Sequence, residues 1–159
     1  MNEHCTVFDY GCGQGDDIAA LRAAGISANG WDPHYFPDAD LKTADIVNLG
    51  FVLNVIEKSD ERIDAARKAF ALARKCLVVA VMLSGAGQTG RLTRYNDGFL
   101  TQRGTFQKYF DQAEIKGLLE SALAQEAIAI SPGVFVVFRD LPSQPPSTRA
   151  RHFTPSLAS

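Results

Sequence analysis

Residues 7–17 read VFDYGCGQGDD: an apolar run, then glycines at 11, 13 and 15, then two aspartates. A chain that passes this abruptly from β-favouring residues, through a loop almost without side chains, into an acidic helix start has few folds open to it. A plain tight turn needs one glycine, or two. Three at alternate positions let the backbone approach a bound molecule closely, with the free N–H groups of the next helix facing it. A strand at 5–10, the glycine loop and a helix at 16–25 therefore form the first unit of a layered α/β domain. Its ligand belongs at the carboxyl end of the strand.

The rest of the chain keeps the alternation. SANGWD (27–32) reads as a strand, ADIVNLGFVL (44–53) begins as a buried one, and 59–75 reads as a helix capped by Ser59. CLVVAVML (76–83) is apolar throughout and rich in β-branched residues, as strands covered on both faces are. A helix at 111–123 gathers Ile115, Leu118, Leu119, Ala122 and Leu123 on one face, with Asp111 and Glu114 at capping-box spacing. Strands at 126–131 and 133–140 follow, joined through Pro132-Gly133.

The expected fold is a Rossmann-like, doubly wound α/β sheet over residues 1–140, mostly parallel and ending in an antiparallel hairpin strand. Between Asp32 and Asp45 the chain is too short for a helix and a further strand, so the sheet is shortened around its third strand. From Leu141 onward four of the seven prolines crowd together without periodicity, and 141–159 is expected to be a disordered tail.

The net charge of −2 gives no overall attraction to nucleic acid or to a membrane surface. The apolar run at 76–83 is too short to span a bilayer, and the chain does not open with a basic segment and a long apolar run. Cys5, Cys12 and Cys76 lack C-x-x-C spacing, which fits a cytoplasmic protein better than a disulfide framework or a zinc site.

Spacing narrows the ligand. The dinucleotide fingerprint G-x-G-x-x-G seats a pyrophosphate on the helix N-terminus. Here the third glycine comes one residue early, and Asp16 with Asp17 would repel a pyrophosphate, which argues against a nicotinamide oxidoreductase. S-adenosylmethionine (SAM) carries a sulfonium and an ammonium and no phosphate. Asp32, at the end of the second strand, is placed to accept hydrogen bonds from ribose hydroxyls.

Together FDYGCGQGDD, GWDPHYFPDADL, ADIVNLGFVLNVIE and DGFLTQRGTFQKYF resemble the methyltransferase family associated with DNA phosphorothioation gene clusters. That family is a class I SAM-dependent methyltransferase family, and the resemblance covers roughly residues 5–140. It implies methyl transfer from SAM to an acceptor it leaves open, DNA or RNA included. It also implies that Asp9, Gly11, Gly13 and Gly15 cradle the methionine half and that Asp32 holds the ribose, flanked by Pro33 and His34. Asp38 or Asp40 would approach the adenine amine. Leu49 and Gly50 would line the transfer site through their backbones.

Methyl transfer depends mainly on in-line positioning, so no general base need show in the sequence. His34, Asn54 and Tyr95 are the catalytic candidates. Asn48 and Asn54 also read as buried amides that satisfy backbone groups. Residues 90–110 interleave Arg91, Arg94, Arg103 and Lys108 with Tyr95, Phe99, Phe106, Tyr109 and Phe110. That pattern suits an extruded base or a single strand, with Arg94, Arg103 and Phe106 as contacts. It also suits a long surface loop pinned by its aromatics. The alternative to an enzyme is a non-catalytic SAM-binding module of a larger assembly.

Overall fold

In the computed structural model residues 4–85 and 91–139 are described. The expected tail from Leu141, with His152, lies outside them.

The chain runs through β1 (Thr6–Tyr10), α1 (Asp16–Ala23), β2 (Ser27–Trp31), β3 (Ala44–Gly50), a 3-10 turn (Leu53–Val55), α2 (Ser59–Leu72) and β4 (Ala73–Ala80). Three short strands follow, β5 (Thr93–Tyr95), β6 (Gly98–Leu100) and β7 (Phe106–Gln107). Then come α3 (Gln112–Leu123), β8 (Ala127–Ser131) and β9 (Val134–Phe138). Six strands form one sheet in the order β2-β1-β3-β4-β9-β8. The first four are parallel, and β9 pairs antiparallel with both β4 and β8.

The chain steps one way from β1 to β2 and the other way from β3 to β4. Right-handed crossovers then place α1 and α2 on opposite faces of the sheet. The core divides accordingly. Ile18 of α1 packs with Cys12 and Ala28 in a small cluster. Ala66 and Ala69 of α2 and Ile115 and Leu119 of α3 pack with Val47, Leu49, Leu77, Val79, Phe135 and Val137 in the main one. Strand order reverses between β1 and β3, and the loops leaving those two strands open a crevice at their carboxyl ends.

The shortening shows as a missing strand. Residues 32–43 form turns and one isolated bridge, Asp32 to Phe36, so β2 is an edge of the sheet. The indole N–H of Trp31 donates to the carbonyl of Pro37 at 3.3 Å and draws this segment back over the edge.

Four expectations need correction. Helix α2 ends at Leu72, and Ala73 starts β4 directly because its backbone pairs with Ala44. Arg74 and Lys75, expected in the helix, therefore lie in the strand, and the Arg74 guanidinium reaches Asp45 at 3.3 Å. Ser59 is not the cap. Lys58 occupies that position in extended conformation without a side-chain bond, and Ser59 is the first helical residue. Residues 91–110, the described part of the 90–110 segment, are not one long loop either, since β5, β6 and β7 build a separate antiparallel sheet. At its other end β4 stops at Ala80, three residues short of the strand expected over 76–83. The Asp111–Glu114 capping box does form at α3, and the closing hairpin turns at Gly133.

The small sheet is fixed to the body by ions. Arg62 on α2 is 1% exposed. Its guanidinium makes a two-pronged contact with Asp97, at 2.6 and 2.9 Å, and donates to the carbonyls of Ile56 and Glu57 at 2.7 and 2.9 Å. Phe106 and Phe110 present their rings to it at 5.5 and 5.9 Å. Lys108, also buried, donates to the carbonyl of Asp97 at 3.2 Å and pairs with Glu114 at 2.9 Å.

Candidate functional site

At the end of β1 the backbone turns through Gly11, Gly13 and Gly15, all at positive φ. At Gly11 the requirement is double. Its φ is +88°, and a Cβ would stand 2.5 Å from Cγ2 of Val52, on the loop leaving β3. The Val52 side chain therefore packs directly against the Gly11 backbone. Gly11→Ala should cost about 1–2 kcal/mol in backbone strain alone and should push Val52 aside. Gly13→Ala, with nothing within 4 Å of the added carbon, should be milder. Urea unfolding of the two variants checks the order.

Asp9 and Asn48 are cross-strand partners, and the Asn48 amide donates to Asp9 Oδ1 at 3.1 Å. Asp9 is 6% exposed. Burial raises its carboxyl above the ordinary value, the Asn48 bond opposes that, and the nearby charges of Asp17 and Asp32 raise it further. Asn48 thus satisfies an acid rather than backbone groups.

Asp32 accepts from three backbone N–H groups: Gly13 at 2.8 Å on one oxygen, His34 at 2.8 Å and Tyr35 at 3.0 Å on the other. Burial pushes its carboxyl up, but the bonds from Tyr35, His34 and Gly13 outweigh it, and the group titrates below its ordinary value. The same carboxylate ties the glycine loop to β2 and shapes the turn after it.

A cavity of about 540 Å³ opens between these loops. Gly11 and Asp32 line it, with Pro33, His34 and Tyr35 on one wall and Gly50, Phe51, Val52, Val55 and Ile56 on the other. Tyr10, Trp31 and Ala65 complete it, with Glu61 and Asp64 from α2. Among the described residues no lysine or arginine lines it. A second cavity of about 380 Å³ lies beside α1 and holds neither Gly11 nor Asp32.

Of the expected site residues, Gly11, Asp32, Pro33, His34 and Gly50 come together in the larger cavity. Gly15 borders the smaller one, and Asp9 sits buried beneath the loops. Leu49 points into the core, fully buried, and neither Asp38 nor Asp40 lines the cavity. Asn54 is 1% exposed and holds backbone groups of Met82 and Lys108. Tyr95, Arg94 and Arg103 are exposed on or beside the small sheet and outside the cavity, and Phe106 is buried against Arg62. Phe51, Glu61 and Asp64 were not among the expected residues. No group of histidine, cysteine, aspartate and glutamate side chains is arranged to hold a metal among the described residues, and no described helix is long and apolar enough to cross a membrane.

No protein-family model and no curated protein matches the sequence. Solved structures do match. The 1,6-didemethyltoxoflavin-N1-methyltransferase of Burkholderia thailandensis, bound to 1,6-didemethyltoxoflavin and S-adenosylhomocysteine, superposes with a TM-score of 0.64 over 86% of this chain and 72% of its own. The chain has the α/β methyltransferase fold. Sequence identity to that protein is 17%. The sugar N-methyltransferase KedS8 of Streptoalloteichus matches with a TM-score of 0.64 and 16% identity, over 87% of this chain and 81% of its own. Magnesium protoporphyrin IX methyltransferase of Synechocystis, with bound SAM, matches at 0.54 and 16%, over 86% and 70%.

Proposed function

We propose that the chain is a SAM-dependent methyltransferase acting on a small-molecule acceptor. The observation that carries this reading is the cavity at the strand-order reversal: it joins Gly11 to Asp32, includes acids and aromatics in its walls, and among the described residues is lined by no lysine or arginine. A pyrophosphate would find no lysine or arginine there and would meet the field of Asp9, Asp16, Asp17 and Asp32. A cationic, phosphate-free nucleoside is compatible with those charges. Bound in this site, SAM supplies a methyl group already activated on a sulfonium.

The residues then have distinct tasks. Asp9, held by Asn48, contributes negative potential beneath the glycine loop. A carboxylate offers about four acceptor sites, and backbone N–H groups take three on Asp32, which leaves one for a ribose hydroxyl. Gly11 and Val52 hold the two loops in contact, and Gly50 begins the wall on the β3 side. His34 lines the cavity and remains the candidate for accepting a proton from the acceptor. The structures similar in fold include a 1,6-didemethyltoxoflavin-N1-methyltransferase and a sugar N-methyltransferase, which supports an acceptor of that size. None of the three bears on DNA phosphorothioation, a likeness that rests on the sequence motifs. Phe106 is buried, so it offers no ring to a nucleic-acid base.

Calorimetry with SAM, S-adenosylhomocysteine and NADH tests the reading. The adenosyl ligands should bind and NADH should not; tighter binding of NADH would overturn it. Asp32→Ala should weaken S-adenosylhomocysteine by about 1.5–3 kcal/mol, the range for a hydrogen bond to a charged group. Release of S-adenosylhomocysteine from SAM over a panel of amine and hydroxyl acceptors separates an enzyme from a module that only binds.

A further inference from the structure

Asp9 is buried, yet among the described residues its side chain takes one hydrogen bond, from the Asn48 amide 3.1 Å from Oδ1. The other oxygen, Oδ2, has no protein donor there. A carboxylate sealed from water with one oxygen unmet is costly, and it either takes up a proton or meets a cation. Among the described residues no cation answers it. The charges that bear on Asp9 are those of Asp17, on α1, and Asp32, after β2, and both are acids. Cys12 in the glycine loop feels the Asp9 charge, and His34 interacts with Asp32.

Asn48 tips that choice. Burial raises the Asp9 carboxyl most, the Asn48 bond lowers it, and Asp17 and Asp32 raise it again. Two local features place the amide. Asn48 stands opposite Asp9 in the β1–β3 ladder. Gly50, two residues on and on the same side of the strand, leaves the amide its space, since a Cβ there would stand 3.2 Å from Asn48 Nδ2. An apolar side chain, which a central parallel strand favours, would fill the same place and offer no donor.

We propose that Asn48 is a positioning residue: by donating to Oδ1 it keeps Asp9 ionised beneath the glycine loop, and so sets the pH below which the protein releases SAM. The proposal rests on the SAM reading above. The sulfonium and ammonium of SAM gain from a charge at Asp9 and gain nothing once that carboxylate is protonated. Binding is therefore present above the Asp9 titration and lost as pH falls through it. Removing the Asn48 donor raises that titration, so the loss moves to higher pH.

The test is calorimetry between pH 5 and pH 8 with SAM and with 5′-methylthioadenosine, a neutral thioether that keeps the adenine and ribose and lacks both cationic centres. Wild type should lose SAM on the acid side and hold methylthioadenosine, whose ribose also reports any change at Asp32. At pH 6 Asn48→Leu should bind SAM about tenfold less tightly than wild type and methylthioadenosine within about twofold. The SAM deficit should shrink toward pH 8. Asp9→Asn, which keeps the shape and removes the buried charge, should bind SAM weakly at every pH and show no acid loss. His34, in the same cavity, would keep its own acid loss in that variant, which separates the two groups. An unmoved acid limb in Asn48→Leu, or equal losses of both ligands at every pH, would overturn the role of Asn48. So would an acid limb that survives in Asp9→Asn. Each of these results would leave SAM binding itself standing. If wild type does not bind SAM at any pH, the SAM reading falls and this inference with it.

Discussion

Asp97→Ala should destabilise the protein by about 3–5 kcal/mol, as removal of one partner from a buried ion pair does. Asp97 itself is only half-buried, so the loss falls on the other side of the pair. Arg62 is sealed within the fold, and without the carboxylate its charge keeps only the carbonyls of Ile56 and Glu57 and two aromatic faces. Ile56 also lines the large cavity, so the damage should reach ligand binding. Urea unfolding at pH 7 checks it: the midpoint should fall while the slope stays near wild type. A double variant, Arg62→Met with Asp97→Leu, should lose less than the two single changes added together, because it leaves no charge buried alone.

The pH dependence has a defined sign. The hydrogen bond from Arg62, against burial, holds Asp97 below its ordinary value of 3.8. Its contribution is therefore fully present above that value and is lost as pH falls through the lower folded one. Asp97→Asn should flatten this part of the acid limb of the stability curve.

Asn54→Ala should cost about as much, for a different reason. The amide donates to the carbonyl of Lys108 at 2.6 Å and to that of Met82 at 3.2 Å, and accepts from the N–H of Met82 at 2.9 Å. Truncation strands two backbone groups away from water, the Lys108 carbonyl and the Met82 N–H, each at about 1–3 kcal/mol, whereas the Met82 carbonyl keeps the Phe110 N–H at 3.0 Å. For a domain of this size that lowers the melting temperature by about 10 °C or more. Asn54→Asp should be no better, since a carboxylate would face two carbonyls in place of a donor. A catalytic asparagine would behave differently, and its replacement would give a folded, inactive protein. Thermal unfolding of both variants distinguishes the two roles.

The first β–loop–α unit was legible because its signals are local. Alternate glycines, a flanking acid and an apolar run need no distant partner to be read. The missing strand was legible from the count of residues between Asp32 and Asp45. The end of α2 was not, because ALARK has the composition of a good helix, and the break is imposed by Ala73 pairing with Ala44 on another strand. Residues 90–110 misled for a related reason. Arginines interleaved with aromatics look alike whether they await a base or pack against a buried cation. Arg62, which settles the matter for Phe106, lies in a charged helical run far away in sequence. Glu61 and Phe51 could not be picked out at all, since an exposed acid in a first helical turn and an aromatic after a strand carry no pattern. Only the cavity gives them meaning.

The junction between α2 and β4 has no slack. Leu72 closes the helix and Ala73 is already paired in the sheet. A residue inserted there would have to rotate the helix by about 100°, taking Ala66 and Ala69 off the core, or slip β4 by one position, turning Leu77 and Val79 outward. The turns at 32–43 carry no such constraint, and added chain there would cost little closure entropy. Length variation among sequences of this kind should therefore gather beside β2 and be absent at the α2–β4 boundary.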